Sequence, residues 1–397
     1  MSMKILVVCQ YYWPEPFRIS DICEAMACRG HQVTVVTGTP NYPEGKIYPG
    51  YEGRAHQDEV VRGVRVLRCP IHPRKKGALH RFWNYYSFVF ASKRYLSKLT
   101  EDFDVVFINQ LSPVMMAEGA LQWAGKHGKK CILYCLDLWP ESLKAGGIQP
   151  GSPIYRVFLG ISRRIYRQAD RILITSRSFS DYFQSVLGIA PDKLTYLPQY
   201  AEDLFEEIPE SSADSSVCNV LFAGNVGEMQ SVETIVAAAR KLQDEPHIHL
   251  HIVGDGSALA HCRRIGDRLA NLTFHGRKDL SEMPAYYAMA DAFLVTLAAD
   301  PGISATLPGK VQSYMAAGKP LIGAVNGETE AVIADADCGL CGPAEDADTL
   351  AEHIRAMAAD ADARIRWGEN GRRYYQSHFR KGSFLRQLEE ILLQSCK

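Results

Sequence analysis

Short runs of β-branched and apolar residues alternate, along nearly the whole chain, with longer stretches whose apolar positions recur at helical spacing. That alternation predicts layered α/β units built on parallel sheets. In the first half the strand-like runs are residues 5–9, 33–37, 64–69, 105–109, 131–136 and 172–175, and 20–30 reads as a helix ending at Gly30. The second half repeats the scheme with strands at 219–223, 249–253, 272–275, 292–297 and 320–324, and with helices that include 231–243 and 310–317. No fixed-period repeat or low-complexity segment appears, which excludes solenoids and arrays.

At 397 residues the chain is long enough for two domains of roughly 100–200 residues each. Residues 202–216 carry six acidic residues, four serines, one proline and no basic residue, the composition of an inter-domain linker. The expected organisation is an N-terminal domain over 1–201, the linker at 202–216, a C-terminal domain over 217–380, and a tail at 381–397. The periodic helix in that tail, 384–393, can pack back on the first domain.

Forty-four Lys and Arg against 45 Asp and Glu leave a formal charge of −1, so no overall field draws nucleic acid or an acidic partner. Eleven cysteines stand mostly inside apolar runs, the pattern of reduced cytosolic thiols. Cys338-Gly-Leu-Cys341 has redox or metal spacing but no second pair and no neighbouring histidine. Met1 leads straight into a buried-strand pattern and no apolar run reaches the ~20 residues of a membrane span. A cytoplasmic protein is expected.

Open α/β sheets bind ligands beyond the carboxyl ends of their strands. After the first strand, residues 10–18 contain no glycine, so a G-x-G-x-x-G dinucleotide loop is absent where a dehydrogenase needs it. Glycines come instead in the second half: Gly224-Asn-Val-Gly227 follows one strand and Gly254-Asp-Gly256 the next. Either alone is also an ordinary turn; two on consecutive strand ends point to backbone amides approaching a phosphate. Farther on, Pro308-Gly-Lys310 opens a helix that exits at Gly318-Lys-Pro320. Lys310 in its first turn can meet a diphosphate as a point charge or face solvent on an ordinary connection.

The second-half motifs Gly224-Asn-Val-Gly-Glu-Met-Gln230, Gly254-Asp-Gly256, Phe274-His-Gly-Arg277, Ala290-Asp291 and Tyr314-Met-Ala-Ala-Gly-Lys-Pro320 occur in the order of the bacterial glycosyltransferase family 4. In the first half, Arg29-Gly-His-Gln-Val-Thr-Val-Val-Thr-Gly38, Asp137-Leu-Trp-Pro-Glu-Ser142 and Lys193-Leu-Thr-Tyr-Leu-Pro198 fit it too. Most of the chain thus resembles that family, and most closely its O-antigen and capsule transferases such as the L-fucosamine transferases. The resemblance implies the GT-B fold, two Rossmann-like α/β domains facing across a cleft. It also implies a retaining transferase that needs no metal and no cofactor. The donor would be a UDP-sugar carrying an amino- or deoxyhexose such as N-acetyl-L-fucosamine, and the acceptor a polyprenyl-diphosphate-linked saccharide bound in the N-terminal half. By position, Gly224, Asn225, Gly227 and Gln230 would surround the diphosphate. Gly254, Asp255, Gly256, Gly276 and Arg277 would border the nucleoside, Lys310 and Ser313 would lie near phosphate and ribose, and Glu330 would sit on the next loop.

The chain departs from the family pattern at three places. Asn225 and Gln230 or Ser231 stand where basic residues usually neutralise the diphosphate, which shifts that role to Lys310 or Arg277. The family's two glutamates eight residues apart fall on Ala305 and Ser313, and a histidine after the fifth strand falls on Leu136. A retaining transfer still needs a group that orients the acceptor or takes its proton. Asp137, Glu141 and Glu15 are the candidates, with Asp137 equally suited to cap a following helix. A UDP-sugar epimerase of the same architecture, or a non-catalytic membrane-associated binding protein, are the competing functions.

From residue 60 to 100 there is no acidic residue, and 72–98 holds seven Lys or Arg and seven aromatics. Arg18, Arg74, Lys75, Lys76, Arg81 and Trp83 suit an anionic inner-membrane surface and the acceptor bound there. Stacking of nucleic-acid bases, or an ordinary helix burying its aromatics, are the other readings, and no nucleic-acid partner is expected. The location that follows is peripheral, on the inner face of the cytoplasmic membrane. His247-Ile-His-Leu-His251 would place three imidazoles on one strand face, as structural residues rather than metal ligands.

Overall fold

A computed structural model describes residues 2–74, 77–209 and 216–396, with the backbone alone for Arg54, Ala78, Leu79, Arg81, Ala145 and Gly146. The chain forms two compact units: 1–175 with 179–197 and 385–397, and 198–384 with 176–178.

The first unit runs β1 (Lys4–Val8), α1 (Arg18–Cys28), β2 (Gln32–Gly38), β3 (Asp58–Val61), β4 (Val64–Cys69), α2 (Ala78–Leu96), β5 (Val105–Gln110), α3 (Glu118–His127), β6 (Lys130–Cys135), α4 (Pro153–Gln168), β7 (Arg171–Ile174), α5 (Phe179–Ser185) and β8 (Leu194–Tyr196). Its sheet has the order β3-β4-β2-β1-β5-β6-β7-β8. The pairing is parallel except at β3, which joins β4 as an antiparallel hairpin. Arg62 and Gly63 turn that hairpin with φ of 48° and 83°, the paired positive angles of a type I′ turn. This antiparallel edge departs from the all-parallel layers expected: Asp58-Glu-Val-Val61 is short, charged and half exposed, with no buried apolar run to announce it.

The second unit runs β9 (Cys218–Ala223), α6 (Val232–Lys241), β10 (Ile248–Val253), α7 (Leu259–Gly266), β11 (Leu272–Gly276), α8 (Met283–Met289), β12 (Ala292–Thr296), α9 (Pro301–Ser304), α10 (Gly309–Ala316), β13 (Leu321–Ala324), α11 (Glu328–Asp335), β14 (Gly339–Gly342), α12 (Ala347–Ala359), α13 (Ala361–His378) and the start of α14 (Lys381–Ser395). Its six strands are all parallel, in the order β11-β10-β9-β12-β13-β14. One face packs Val220, Phe222, Leu250, Ile252 and Leu294 against α6, α7 and α12; the other packs Leu221, Phe293 and Val295 against α10. Strands covered on both faces read as continuous apolar runs, which is why these were legible. The order reverses between β9 and β12, so the loop after β9 lies at the switch point where such sheets bind ligands.

The expected linker is largely not a free tether. In its described part, 202–209, Phe205 stacks on Tyr287, Glu206 accepts from Tyr375 and pairs with Arg380, and Asp203 pairs with Lys381. Glu206 and Asp203 thus serve partners on α13, on α14 and at Arg380 between them; 210–215 lie outside the described residues. Leu385–Lys397 belongs to the first unit. There Leu388 and Leu392 meet Ile5, Val7, Met26 and Phe107, while Glu389 pairs with Arg29 and His31. His31 Nδ1 accepts the Met3 N–H, so its Nε2–H donates to Glu389. All eleven cysteines are free thiols. Among the described residues no helix is long and apolar enough to cross a membrane.

Candidate functional site

The three glycine loops of the second unit are stitched together by their backbones. Gly224 N–H donates to Val253, Val226 N–H to Asp255, and Gly254 N–H to Gly276, each at 2.9 Å. At Gly254, φ is +144° and a Cβ would stand 1.8 Å from the Gly224 carbonyl oxygen, so only glycine lets the loops close this far. Asn225 Nδ2 donates to Gln230 Oε1 at 2.7 Å across Gly227, and Thr296 holds the Gln230 carbonyl. Two of the side chains expected around a diphosphate, Asn225 and Gln230, therefore bond each other, and the Gly224, Val226 and Gly254 N–H groups are taken by neighbouring loops.

Lys310 enters from the first turn of α10. Its ammonium is buried, lies 3.6 Å from the centre of the Phe222 ring, and has no hydrogen-bond partner. A Cβ on Gly224 would be 3.1 Å from Nζ, so the glycine makes room for the ammonium as well as the turn. Burial with nothing to pair it lowers the Lys310 pKa from 10.5 to about 7. A buried amine with no hydrogen-bond partner, beside a glycine loop and a helix N-terminus, has the chemistry to take an anion.

Tyr314, on the same helix, sets that geometry. Its buried hydroxyl accepts from Ala223 N–H at 2.8 Å and donates to Ala223 C=O at 3.1 Å, tying α10 to the residue before Gly224. Sequence reasoning quoted Tyr314 within a motif but missed this role; a tyrosine in a buried helix, whose hydroxyl needs a partner, was the available signal.

Other positions fall differently from expectation. Ser313 is buried and its hydroxyl donates back to the Gly309 carbonyl of its own helix. Asp255 caps Gly256 N–H with an exposed carboxylate, and Arg277 is exposed beyond β11. Glu330 is exposed on α11; two residues earlier, Glu328 is buried and accepts from the Arg177 and Ser178 N–H groups and the Ser178 hydroxyl.

In the first unit, Glu15 is buried and accepts from the N–H groups of Tyr12, Asn41 and Tyr42. Burial raises its pKa to about 7 against those three donors. Its position is that of a clamp between the loops after β1 and β2. Asp137 accepts from the Ser112 N–H and hydroxyl, both at 3.1 Å, rather than capping a following helix, and burial raises its pKa. Glu141 is engaged by Lys144 and the Tyr155 hydroxyl.

Arg18 opens α1 and is half-buried. Arg74 is fixed by its N–H to Asn41 Oδ1 at 2.7 Å and lies over the Tyr42 ring, which packs with Tyr11 and Phe17. Lys75, Lys76 and the side chain of Arg81 lie outside the described residues. Trp83 is 54% exposed on α2, beside Phe82 at 46% and with Phe90 at 68%. Asn84, fully buried on the other side of α2, accepts from Gln10 and Tyr11 and donates to the His72 carbonyl. The helix thus buries Asn84 together with Phe88 and Leu96, and leaves Phe82, Trp83 and Phe90 on its outer side.

The three histidines of 247–251 do not share a strand face, because β10 begins at Ile248 and His247 lies outside it. His249 bonds Thr273. Asn219 Nδ2 donates to Val217, so its Oδ1 takes the His251 Nε2–H, leaving Nδ1 to accept from His275. Burial lowers the pKa of the His249, His251 and His275 imidazoles, that of His251 to about 3. They line an open pocket of about 900 Å³ with Thr273, Tyr286 and Met289. Among the described residues no group of three or more His, Cys, Asp or Glu is placed to hold a metal ion.

Residues 17–199 match the glycosyl transferase 4-like domain and 218–360 the glycosyl transferases group 1. The chain is 26% identical over 339 residues to WcaI of Escherichia coli, assigned as a colanic acid biosynthesis glycosyl transferase, covering 80% of this chain and 82% of that one. It is 28% identical over 242 residues to the glycosyltransferase WbjE of Pseudomonas aeruginosa, covering 57% and 59%. Sucrose-phosphate synthase of Thermosynechococcus elongatus superposes with a TM-score of 0.76 at 20% identity, over 99% of this chain and 98% of that one. HepE of Anabaena, solved with UDP and glucose, superposes with 0.70 at 14% identity, over 98% and 99%. These structures share the GT-B fold expected above, and the chain belongs to the group 1 glycosyltransferases with a glycosyl transferase 4-like N-terminal domain.

Proposed function

We propose that this glycosyltransferase moves an amino- or deoxyhexose, such as N-acetyl-L-fucosamine, with retention from a UDP-sugar to a polyprenyl-diphosphate-linked saccharide in O-antigen or capsule biosynthesis. The observation that carries the donor half is Lys310: a buried ammonium against Gly224 with no hydrogen-bond partner suits an anion such as a diphosphate. HepE was solved with UDP, and WcaI is assigned to the making of a polysaccharide, which supports the same direction. In the transfer, the bond from sugar C1 to the diphosphate oxygen breaks and C1 bonds the acceptor oxygen on the same face. Negative charge grows on the leaving UDP, where Lys310 and the N-terminus of α10 stabilise it most. The acceptor hydroxyl gives up its proton, and Asp137 is the first unit's foremost candidate to orient that hydroxyl or receive it. The chain works peripherally on the inner face of the cytoplasmic membrane, through α2 and the basic residues before it.

The test is a panel of UDP-sugars and GDP-sugars with a polyprenyl-diphosphate-GlcNAc acceptor, with products read by mass. A lipid product longer by one aminohexose or deoxyhexose, made from a UDP-sugar, is expected. Interconversion of the donor without acceptor would make the protein an epimerase, and tight UDP binding with no turnover across the panel would make it a binding protein.

A further inference from the structure

The basic, aromatic α2 has a neighbour of the same character. Pro153–Gln168, helix α4, contains four arginines and no acid, and no acidic residue occurs from 142 to 169. Ile154 and Val157 on its first turns are 56% and 62% exposed, an unusual use of large aliphatic side chains on a surface helix. On α2, Phe82, Tyr86 and Phe90 follow each other at one-turn spacing, with ring centres 4.4 Å and 6.4 Å apart, and Lys93 and Arg94 are exposed at the end of the stripe.

The two helices share one support. Both pack on the buried turn Val114–Ala117, and the next residue, Glu118, joins them: Arg164 of α4 donates to it at 2.6 Å, and its charge acts on the Tyr86 hydroxyl of α2. The carboxylate between the two faces is thus already neutralised.

We infer that α2 and α4 form one two-part docking face for an anionic lipid bilayer, with Phe82, Trp83, Phe90, Ile154 and Val157 entering the interface and the arginines and lysines meeting the headgroups. The inference rests on the membrane-docked reading above and adds α4 as a second, independent contact. Basic groups flanking apolar ones complement anionic headgroups over an acyl region. Aliphatic Ile154 and Val157 have no π-face on which a base could stack, which favours lipid over single-stranded nucleic acid.

The experiment is co-sedimentation of the full chain with phosphatidylcholine vesicles, pure or mixed with phosphatidylglycerol. The parent is compared with Ile154→Ser/Val157→Ser and with Phe82→Ser/Phe90→Ser. Because every substituted side chain is exposed, thermal melting is expected to stay at the parent value, and UDP affinity is measured alongside. The expected result is binding that requires phosphatidylglycerol and is weakened about tenfold by either pair, more by both together. Parent-like vesicle binding by the α4 pair, with loss in the α2 pair, overturns the two-part face and leaves α2 docking standing. No vesicle binding by the parent, with UDP binding intact, overturns lipid docking but not the transferase. Binding of a single-stranded oligonucleotide that the α4 pair weakens, without vesicle binding, also overturns it.

Discussion

Replacing Lys310 by methionine keeps most of the side chain's volume and removes the buried charge, and the two consequences run in opposite directions. A fall in pKa from 10.5 to about 7, at about 1.4 kcal/mol per tenfold change in proton affinity, makes the unpaired ammonium cost the ligand-free fold about 5 kcal/mol near neutral pH, as an upper bound. The unfolded chain holds that proton up to about 10.5 and the folded unit releases it near 7, so the unfolded state binds more protons between those values. Stability therefore rises with pH through that window; the full cost is present below about 7 and none remains above 10.5. Lys310→Met should be more stable than the parent near neutral pH in urea denaturation, and the difference should shrink toward pH 10. The same change should weaken UDP binding by about 1.5–3 kcal/mol, roughly tenfold to more than a hundredfold, in calorimetry. In the parent, UDP binding above neutral pH should take up a proton, seen as a dependence of the measured enthalpy on the buffer's ionisation heat. A methionine variant that binds UDP like the parent, or that is destabilised at neutral pH, refutes the reasoning.

Tyr314→Phe deletes the hydroxyl bracketing Ala223 and should cost about 1–3 kcal/mol in denaturation, with UDP affinity falling too; unchanged stability would show that the bracket holds nothing. Glu15 binds its proton more tightly folded than unfolded, so its contribution to stability falls as pH rises from 4.5 to about 7. Glu15→Gln should flatten that slope, and a parent-like slope in the variant argues against a buried carboxyl titrating there. Asp137→Asn should lower turnover about a hundredfold with UDP affinity unchanged, whereas a parallel loss of melting temperature would reduce Asp137 to a brace for Ser112.

Strands flanked on both faces by apolar layers were legible because burial writes itself as uninterrupted runs; Asn219–Ala223 is nearly such a run, and β9 adds one residue. Strands β8 and β14, three and four residues with no fully buried position, carry no such mark, and neither does the charged β3. In the site, glycines announce themselves because a missing Cβ is the function, and Lys310 because its place in a helix's first turn is fixed by Pro308 and Gly309. Partnerships across long separations are not written locally. Tyr314 meets a backbone 91 residues away, and the buried Glu328, about half a helical turn from the exposed Glu330, takes its donors from about 150 residues away. At Ser313 the limit is different, since a hydroxyl near a ligand and one returned to its own helix look alike in sequence.

The seating of α14 on β1, α1 and β2 bears on how the chain is made. Ile5, Val7, Met26 and Phe107 gain their cover from Leu388 and Leu392 only after the whole second unit has been synthesised. During translation the first sheet must wait with an apolar flank open to solvent, while the second unit, contiguous over 198–384, can close almost as soon as it emerges. The order of completion is thus the reverse of the order of synthesis, and the nascent first unit is the one that a ribosome-associated chaperone would be expected to shield.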